Sequence, residues 1–357
     1  MSALKDRLFA RIARLGPLSV ADYMTECLLH PMDGYYTTRD PLGQAGDFIT
    51  APEISQMFGE LLGAWLAQVW MDQGAPNPFT LAELGPGRGT LMADALRATR
   101  GVPGFHTALR LHLVEASPKL RAVQAATLAD YAPSFHDTLA DLPEAPLFLI
   151  ANEFFDALPI RQFQKHAGDD WSERMIGADG ERLIWGLSPP APIAALAGRK
   201  DVEIGQIVET CAPATAIAGE IGRRIATHGG AALIIDYGAR DSRGDTFQAL
   251  AAHAYVDPLA TPGQADLTAH VAFGPIAKAA LPARASAICP QGVFLERLGI
   301  TARAEKLARS LGGAALQSHI AAHKRLTHPD EMGHLFKVLA LTPEGSPLPP
   351  ALDPGPP

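Results

Sequence analysis

The chain has 357 residues, 47% of them hydrophobic, with 30 basic against 38 acidic side chains and a net charge of −8. That length holds two or so folding units or one large decorated domain, and the acidic balance argues against a nucleic-acid substrate, which calls for a basic surface. No apolar run reaches the length of a membrane span, and the three cysteines, Cys27, Cys211 and Cys289, are scattered, so neither a disulfide framework nor a zinc site is implied and a reducing compartment such as the cytoplasm fits.

Residues 1–77 read as a mostly helical cap. Leu4 to Leu15 form a basic amphipathic pattern; Asp6 is wrong for a targeting peptide and no signal-type apolar core follows, so a helix packed on the domain is expected. A Gly- and Asp-rich stretch follows, His30-Pro31-Met32-Asp33-Gly34-Tyr35-Tyr36 and then residues 43–50. Loops that long inside a compact domain are often functional. From Ala51 a long helix is expected through Trp70. Pro52 suits its first turn, and Phe58, Leu61, Leu62, Trp65, Leu66 and Val69 fall at helical spacing.

From Pro78 the chain alternates. Strands are expected at residues 79–84, 109–114, 147–152 and 231–237, with a short one at 133–135, and helices lie between them. That alternation predicts an α/β fold with a doubly wound, mostly parallel sheet. Residues 267–271 and 334–341 would extend it. Residues 159–230 are too many for one crossover and read as an insertion. It contains a hairpin turning at Asp179-Gly180 and a Pro/Ala-rich stretch, Ser188 to Leu196, and could cover a substrate site. The core would thus run over 78–341, and the Pro-rich residues 342–357 are expected to be disordered.

The richest stretch is Leu81-Ala82-Glu83-Leu84-Gly85-Pro86-Gly87-Arg88-Gly89-Thr90. A strand breaks into glycines at alternate positions and a helix begins at once. Glycine lets a ligand press on bare main chain, and a helix start offers unpaired N–H groups. A dinucleotide site would read Gly-x-Gly-x-x-Gly. Here the spacing is Gly-x-Gly-x-Gly, and Glu83 precedes it. A carboxylate there would repel a pyrophosphate but suits a cationic ligand such as an aminoacyl sulfonium. The next strand ends at Glu115, where an acid typically holds the two ribose hydroxyls of an adenosine group. S-adenosylmethionine (SAM) is therefore favoured over NAD, and an oxidoreductase is disfavoured.

In such sheets ligands bind beyond the carboxyl ends of the strands. The third strand ends in Asn152-Glu153-Phe154-Phe155-Asp156, offering one amide and two carboxylates. Asn152, Glu153 and Asp156 could orient a nitrogen nucleophile beside a sulfonium methyl. The two acids suit an arginine guanidinium in bidentate contact, or could simply favour a helix start. Asp236, Tyr237 and Gly238 end the fourth strand. Asp266 could cap a turn or reach the pocket, and Asp137 could hold the adenine amino group. Methyl transfer from a sulfonium needs no metal, and the twelve histidines show no metal-ligand spacing.

These residues together resemble the MidA-like SAM-dependent methyltransferases. The matching stretches are His30-Pro31…Gly34-Tyr35-Tyr36, residues 46–60, Glu83 to Gly89, Val114-Glu115-Ala116-Ser117-Pro118, residues 152–159, Ile235-Asp236-Tyr237-Gly238, residues 266–271 and Leu335-Phe336-Lys337-Val338-Leu339. The resemblance implies a class I, Rossmann-like methyltransferase with a seven-stranded, mostly parallel sheet, an N-terminal helical cap and an inserted segment. It carries cofactor contacts over to Gly85, Gly87, Gly89 and Glu115, and places the loop from Asp47 to Gln56, with Thr50 and Gln56, near the cofactor. Mitochondrial members act as protein arginine methyltransferases in respiratory complex I assembly. The expected partner is therefore a protein, such as a complex I subunit, with the matrix as compartment if the source is eukaryotic. A homodimer is possible. One departure is Ala272, where an Asp is expected. A SAM-binding assembly chaperone without transfer activity is the alternative.

Overall fold

A computed structural model describes residues 3–38 and 50–355. The part of the expected 43–50 loop before Thr50, Asp47 included, lies outside the described residues. Contacts divide the chain into two units. One gathers Met1–Phe48, Asp156–Ala214 and Asp241–Val271; the other gathers Ile49–Phe155, Thr215–Arg240 and Ala272–Pro357.

The second unit is built on strands β1 (Phe79–Leu84), β2 (Leu109–Val114), β3 (Ser134–His136), β4 (Leu147–Asn152), β5 (Gly230–Ala239) and β6 (Phe336–Thr342). Their order across the sheet is β6-β5-β4-β1-β2-β3, with Arg284–Ala285 beyond β6 as the seventh on this path. Further short strands, among them Cys289–Pro290 on β6, bring the sheet to nine. β5, β4, β1, β2 and β3 run parallel, and β6 is antiparallel to β5. Every residue of β1 and β4 is buried. Both are near-continuous apolar runs, as a strand covered on both faces requires.

The glycine loop leaves β1 and enters the helix Thr90–Ala98, which packs on the helix Gln56–Asp72. Gly59 and Gly63 lie one turn apart on the face between them. A Cβ at Gly59 would stand 2.8 Å from the Leu91 carbonyl oxygen, and one at Gly63 would stand 2.6 Å from that of Ala95. The two backbones meet only because neither position carries a side chain. The expected helix from Ala51 is interrupted: Ala51–Ile54 ends at Ser55, which is extended (φ −161°, ψ 136°) and caps Gln56–Asp72 by accepting the Met57 N–H. A serine that competes for backbone donors divides what the apolar spacing alone joins.

The Pro-rich end is ordered through Gly355, against the expectation of disorder. Leu352 is buried, the Trp65 indole N–H donates to the Pro350 carbonyl at 3.1 Å, and Arg297 pairs with Asp353. Proline lacks a donor, but its carbonyl still accepts, so side chains of the unit hold this segment without a ladder.

In the first unit, Asp170–Asp179 and Arg182–Leu187 form the expected hairpin, turning at Gly180-Glu181. Arg161–Lys165 lies against Asp170–Asp179, and Ile207–Thr210 against Arg161–Lys165. Leu18–Ser19 pairs with Ile176 and Met175, so the N-terminal segment shares a sheet with the expected insertion, and the cap is not a separate body ending at residue 77. Leu4 and Leu8 of the helix Ala3–Leu15 are buried in this unit's core. Of the residues 267–271 expected to extend the central sheet, the strand Asp266–Thr268 pairs instead with Gln248–Ala251, which also pairs Ala254–Val256, and only the short strand Val271–Ala272 belongs to the central sheet. A three-residue strand with one apolar side chain, Leu267, carries too little pattern to encode its partner; the intervening chain decides it.

Candidate cofactor site

The site is formed where β1, β2 and β4 end side by side. The backbone passes through Gly85 (φ +60°), Gly87 (φ +55°) and Gly89 (φ +81°). All three occupy the left-handed region, where a side chain is strained. Gly85 also lies under an aromatic ring: a Cβ there would stand 3.0 Å from Cδ2 of Phe154. Gly85 N–H donates to the Val114 carbonyl at 3.0 Å, and Gly89 N–H to that of Pro86 at 2.7 Å, closing the turn. Gly89 is the N-cap of Thr90–Ala98 and supplies no side-chain cap. The Thr90 hydroxyl donates to Glu53 at 2.6 Å.

Glu83, the penultimate residue of β1, is buried, and its Oε2 has no hydrogen-bond partner among the described residues. Burial, reinforced by the charge of Glu115, pushes its carboxyl up to about 8. Two carboxylates held together at the end of a parallel sheet repel one another, and a cation between them relieves that repulsion. Glu115 is also buried. Its Oε1 accepts the Ser117 N–H at 2.8 Å, and its Oε2 accepts from the Gln124 amide at 3.0 Å. Burial raises its carboxyl, while Ser117, Gln124 and Arg121 pull the other way.

At the end of β4, Asn152 is buried and its Oδ1 has no hydrogen-bond partner among the described residues. Its amide nitrogen donates to Glu153 Oε1 at 3.1 Å, and the same oxygen accepts the Ala51 N–H at 2.8 Å. Glu153 sits at φ +49°, a strained value for a residue with a side chain. Its backbone N–H donates to Ile235, and Asp236 at 0% exposure accepts the Phe155 N–H at 3.0 Å and the Tyr237 N–H at 2.9 Å. Asp236 therefore fixes the loop that carries Asn152 and Glu153 and lays Phe154 over Gly85.

The other expected residues fall as follows. Thr50 is the N-cap of Ala51–Ile54 and makes no side-chain cap bond. Gln56 is exposed and accepts from Arg97 at 3.4 Å. Asp137 is exposed, with Arg121 on its carboxylate. The unit boundary falls after Phe155, so Asp156 belongs to the first unit, where it is buried and its carbonyl accepts the Ala269 N–H at 3.0 Å. Asp266 is buried in that unit and accepts the Tyr36 hydroxyl at 2.7 Å. Ala272 is the N-cap of Phe273–Ala279 and offers no side-chain acceptor.

Gln124 was not anticipated. The helix Pro118–Thr127 buries only Leu120 and Gln124, one turn apart, so a polar residue on an otherwise apolar stripe was its signal.

The donor set fits SAM. Bare main chain, one buried acceptor on Glu83, a second on Asn152, and a carboxylate oriented on both oxygens match a nucleoside carrying a sulfonium and an ammonium. The fold and this site define a SAM-dependent methyltransferase. Comparison with known proteins gives the same class: residues 61–289 match the family described as S-adenosyl-L-methionine-dependent methyltransferases. The Xenopus tropicalis protein named "Protein arginine methyltransferase NDUFAF7, mitochondrial" is 38% identical over 373 residues, covering 96% of this chain and 86% of that protein. Its human counterpart is 38% identical over 366 residues, covering 94% and 82%. A solved structure of a Burkholderia thailandensis protein bound to S-adenosyl-homocysteine is 30% identical, covers 98% of this chain and 94% of that one, and superposes with a TM-score of 0.84. This chain belongs to the MidA-like family of SAM-dependent methyltransferases.

Proposed function

We propose that this methyltransferase acts on an arginine side chain of a protein, with a respiratory complex I subunit as the candidate substrate. The observation that carries the proposal is the end of β4: a buried Asn152 Oδ1 open to a donor, beside a Glu153 carboxylate that two donors already hold. A guanidinium brings planar N–H groups and a fixed positive charge, and such a group is met by an amide oxygen and a carboxylate together. The relatives named protein arginine methyltransferase support the same acceptor.

Bound SAM supplies an activated methyl group whose leaving group is a neutral thioether. The chain's own residues do the rest. Gly85, Gly87 and Gly89 let the main chain approach the nucleoside, Glu115 takes the ribose hydroxyls, and Glu83 faces the ligand's positive charge. Asn152 Oδ1 accepts one guanidinium N–H, and the Glu153 carboxylate receives the proton that leaves the attacking nitrogen, which is general-base catalysis. The nitrogen lone pair forms the new bond to carbon as the carbon–sulfur bond breaks, and the sulfur keeps the electron pair. Thr50, Gln56 and Asp137 are placed by this reading at the rim, with lesser effects on cofactor affinity. Asp156 takes no part in the proposal.

No helix among the described residues is long and apolar enough to cross a membrane. The mitochondrial names of the relatives support the matrix as the compartment if the source is eukaryotic. A homodimer remains an outcome to be measured by light scattering. The methyltransferase relatives disfavour a chaperone without transfer activity. The test is incubation with SAM and purified complex I subunits, followed by tandem mass spectrometry. The expected result is one or more methyl groups on arginine, abolished in Glu153→Ala. Methylation of another residue type would overturn the acceptor, and no transfer to any protein would overturn the substrate class.

A further inference from the structure

The helix Pro118–Thr127 places a glutamine at 0% exposure where its spacing calls for an apolar side chain. The amide nitrogen of Gln124 donates to the Gly87 carbonyl at 2.7 Å and to Glu115 Oε2 at 3.0 Å. An NH2 group has two hydrogens, and here each has its own acceptor. One acceptor is in the glycine loop after β1; the other is the carboxylate after β2. The helix also presses on the loop itself, since a Cβ at Gly89 would stand 3.7 Å from Gln124 Cα and 3.2 Å from Leu128 Cδ1. Ser117 N–H holds the second oxygen of Glu115, so the carboxylate is fixed at both ends by one short helix.

We infer that Gln124 is a positioning residue that orients the Glu115 carboxylate for the ribose hydroxyls and locks the glycine loop to it, so that nucleoside recognition and loop geometry are set together. This rests on the proposed reading of Glu115 as the ribose acceptor. Gln124 needs no contact with the ligand. A carboxylate that receives a hydrogen bond on each oxygen keeps one lone-pair direction per oxygen for the ligand, and two vicinal hydroxyls want two acceptors at a fixed spacing. Methionine in place of Gln124 keeps the volume and removes both donors. Glu115 then keeps only the Ser117 N–H on one oxygen and its other oxygen is released, while the half-buried Gly87 carbonyl loses this donor.

The experiment is titration calorimetry of the full chain with S-adenosylhomocysteine and with its 2′-deoxy analogue, on wild type, Gln124→Met and Gln124→Asn, with thermal melts to establish folding. Wild type is expected to prefer the ribose ligand by tenfold or more. Gln124→Met is expected to lose about ten- to hundredfold in affinity for S-adenosylhomocysteine, with a much smaller loss for the deoxy analogue, so that the preference collapses. Gln124→Asn keeps the amide but is one methylene too short to reach both acceptors, and is expected to lose the preference in part; it decides the matter should the methionine variant not fold. A folded variant with the wild-type preference overturns the inference. So does an equal loss for both ligands, which is what simple packing would give. Absence of any preference in wild type overturns the ribose reading of Glu115 itself, and the inference with it.

Discussion

Replacing Glu83 with glutamine tests the electrostatics of the site. The ligand-free carboxyl sits at about 8 because burial and Glu115 disfavour its charge. At pH 7 about one molecule in eleven is ionised, and at pH 6 about one in a hundred. A cationic ligand wants the ionised form, so binding draws a proton off Glu83. Wild-type affinity for SAM therefore rises about tenfold from pH 6 to pH 7, with nearly one proton released per ligand. The ligand's own amino group titrates at about 8 and stays charged over this interval. Glu83→Gln keeps the shape but has nothing to titrate, so its pH profile is flat by comparison. Calorimetry at several pH values, in two buffers of different ionisation heat, reads both quantities. Stability has the opposite sign. Glu83 is raised above its ordinary value of 4.5, so the folded state holds the proton more tightly. Ligand-free stability is fully present below pH 4.5, falls as the pH rises toward about 8, and is level above it. Equal pH profiles in wild type and variant, in affinity and in proton release, would refute the placement of a cation at Glu83.

Other consequences are local. Gly87→Val places a β-branched side chain at φ +55° in the loop, and a folded variant is expected to show no heat with SAM; wild-type affinity would place the ligand elsewhere. Asp236→Ala removes the acceptor of two backbone N–H groups, Phe155 and Tyr237, and is expected to cost about 2–4 kcal/mol in urea unfolding with a loss of transfer activity; a cost below about 0.5 kcal/mol would contradict its anchoring role. Leu352→Ala is expected to cost about 2–4 kcal/mol, whereas a mobile tail would lose nothing.

The central strands were legible because β4 is an unbroken apolar run up to Asn152 and β1 and β2 are mostly apolar runs closed by a glycine loop and by Glu115, and the sequence positions of their ends match the structure. The glycine spacing and the two acids at the strand ends were legible for the same reason: each is a local pattern with a local cause. What was not legible depends on partners far away in sequence. Leu18–Ser19 carries too little signal to announce a strand, yet Ile176 and Met175 give it one. The tail looked unfoldable by composition, but its order comes from Trp65 and Arg297, both remote from it. Asp236 was singled out at its strand end, but that it anchors the Asn152–Phe155 loop follows only from the fold. Gln124 was overlooked because helix propensity treats glutamine as an ordinary surface residue; its place on the buried stripe with Leu120 was a faint signal, and its two acceptors give it meaning.

The most direct test is a crystal structure of the chain soaked with S-adenosylhomocysteine. The nucleoside is expected over Gly85, Gly87 and Gly89, with the ribose hydroxyls on Glu115 and the amino acid end toward Glu83. Well-ordered ligand seated elsewhere, with both carboxylates untouched, would contradict this placement.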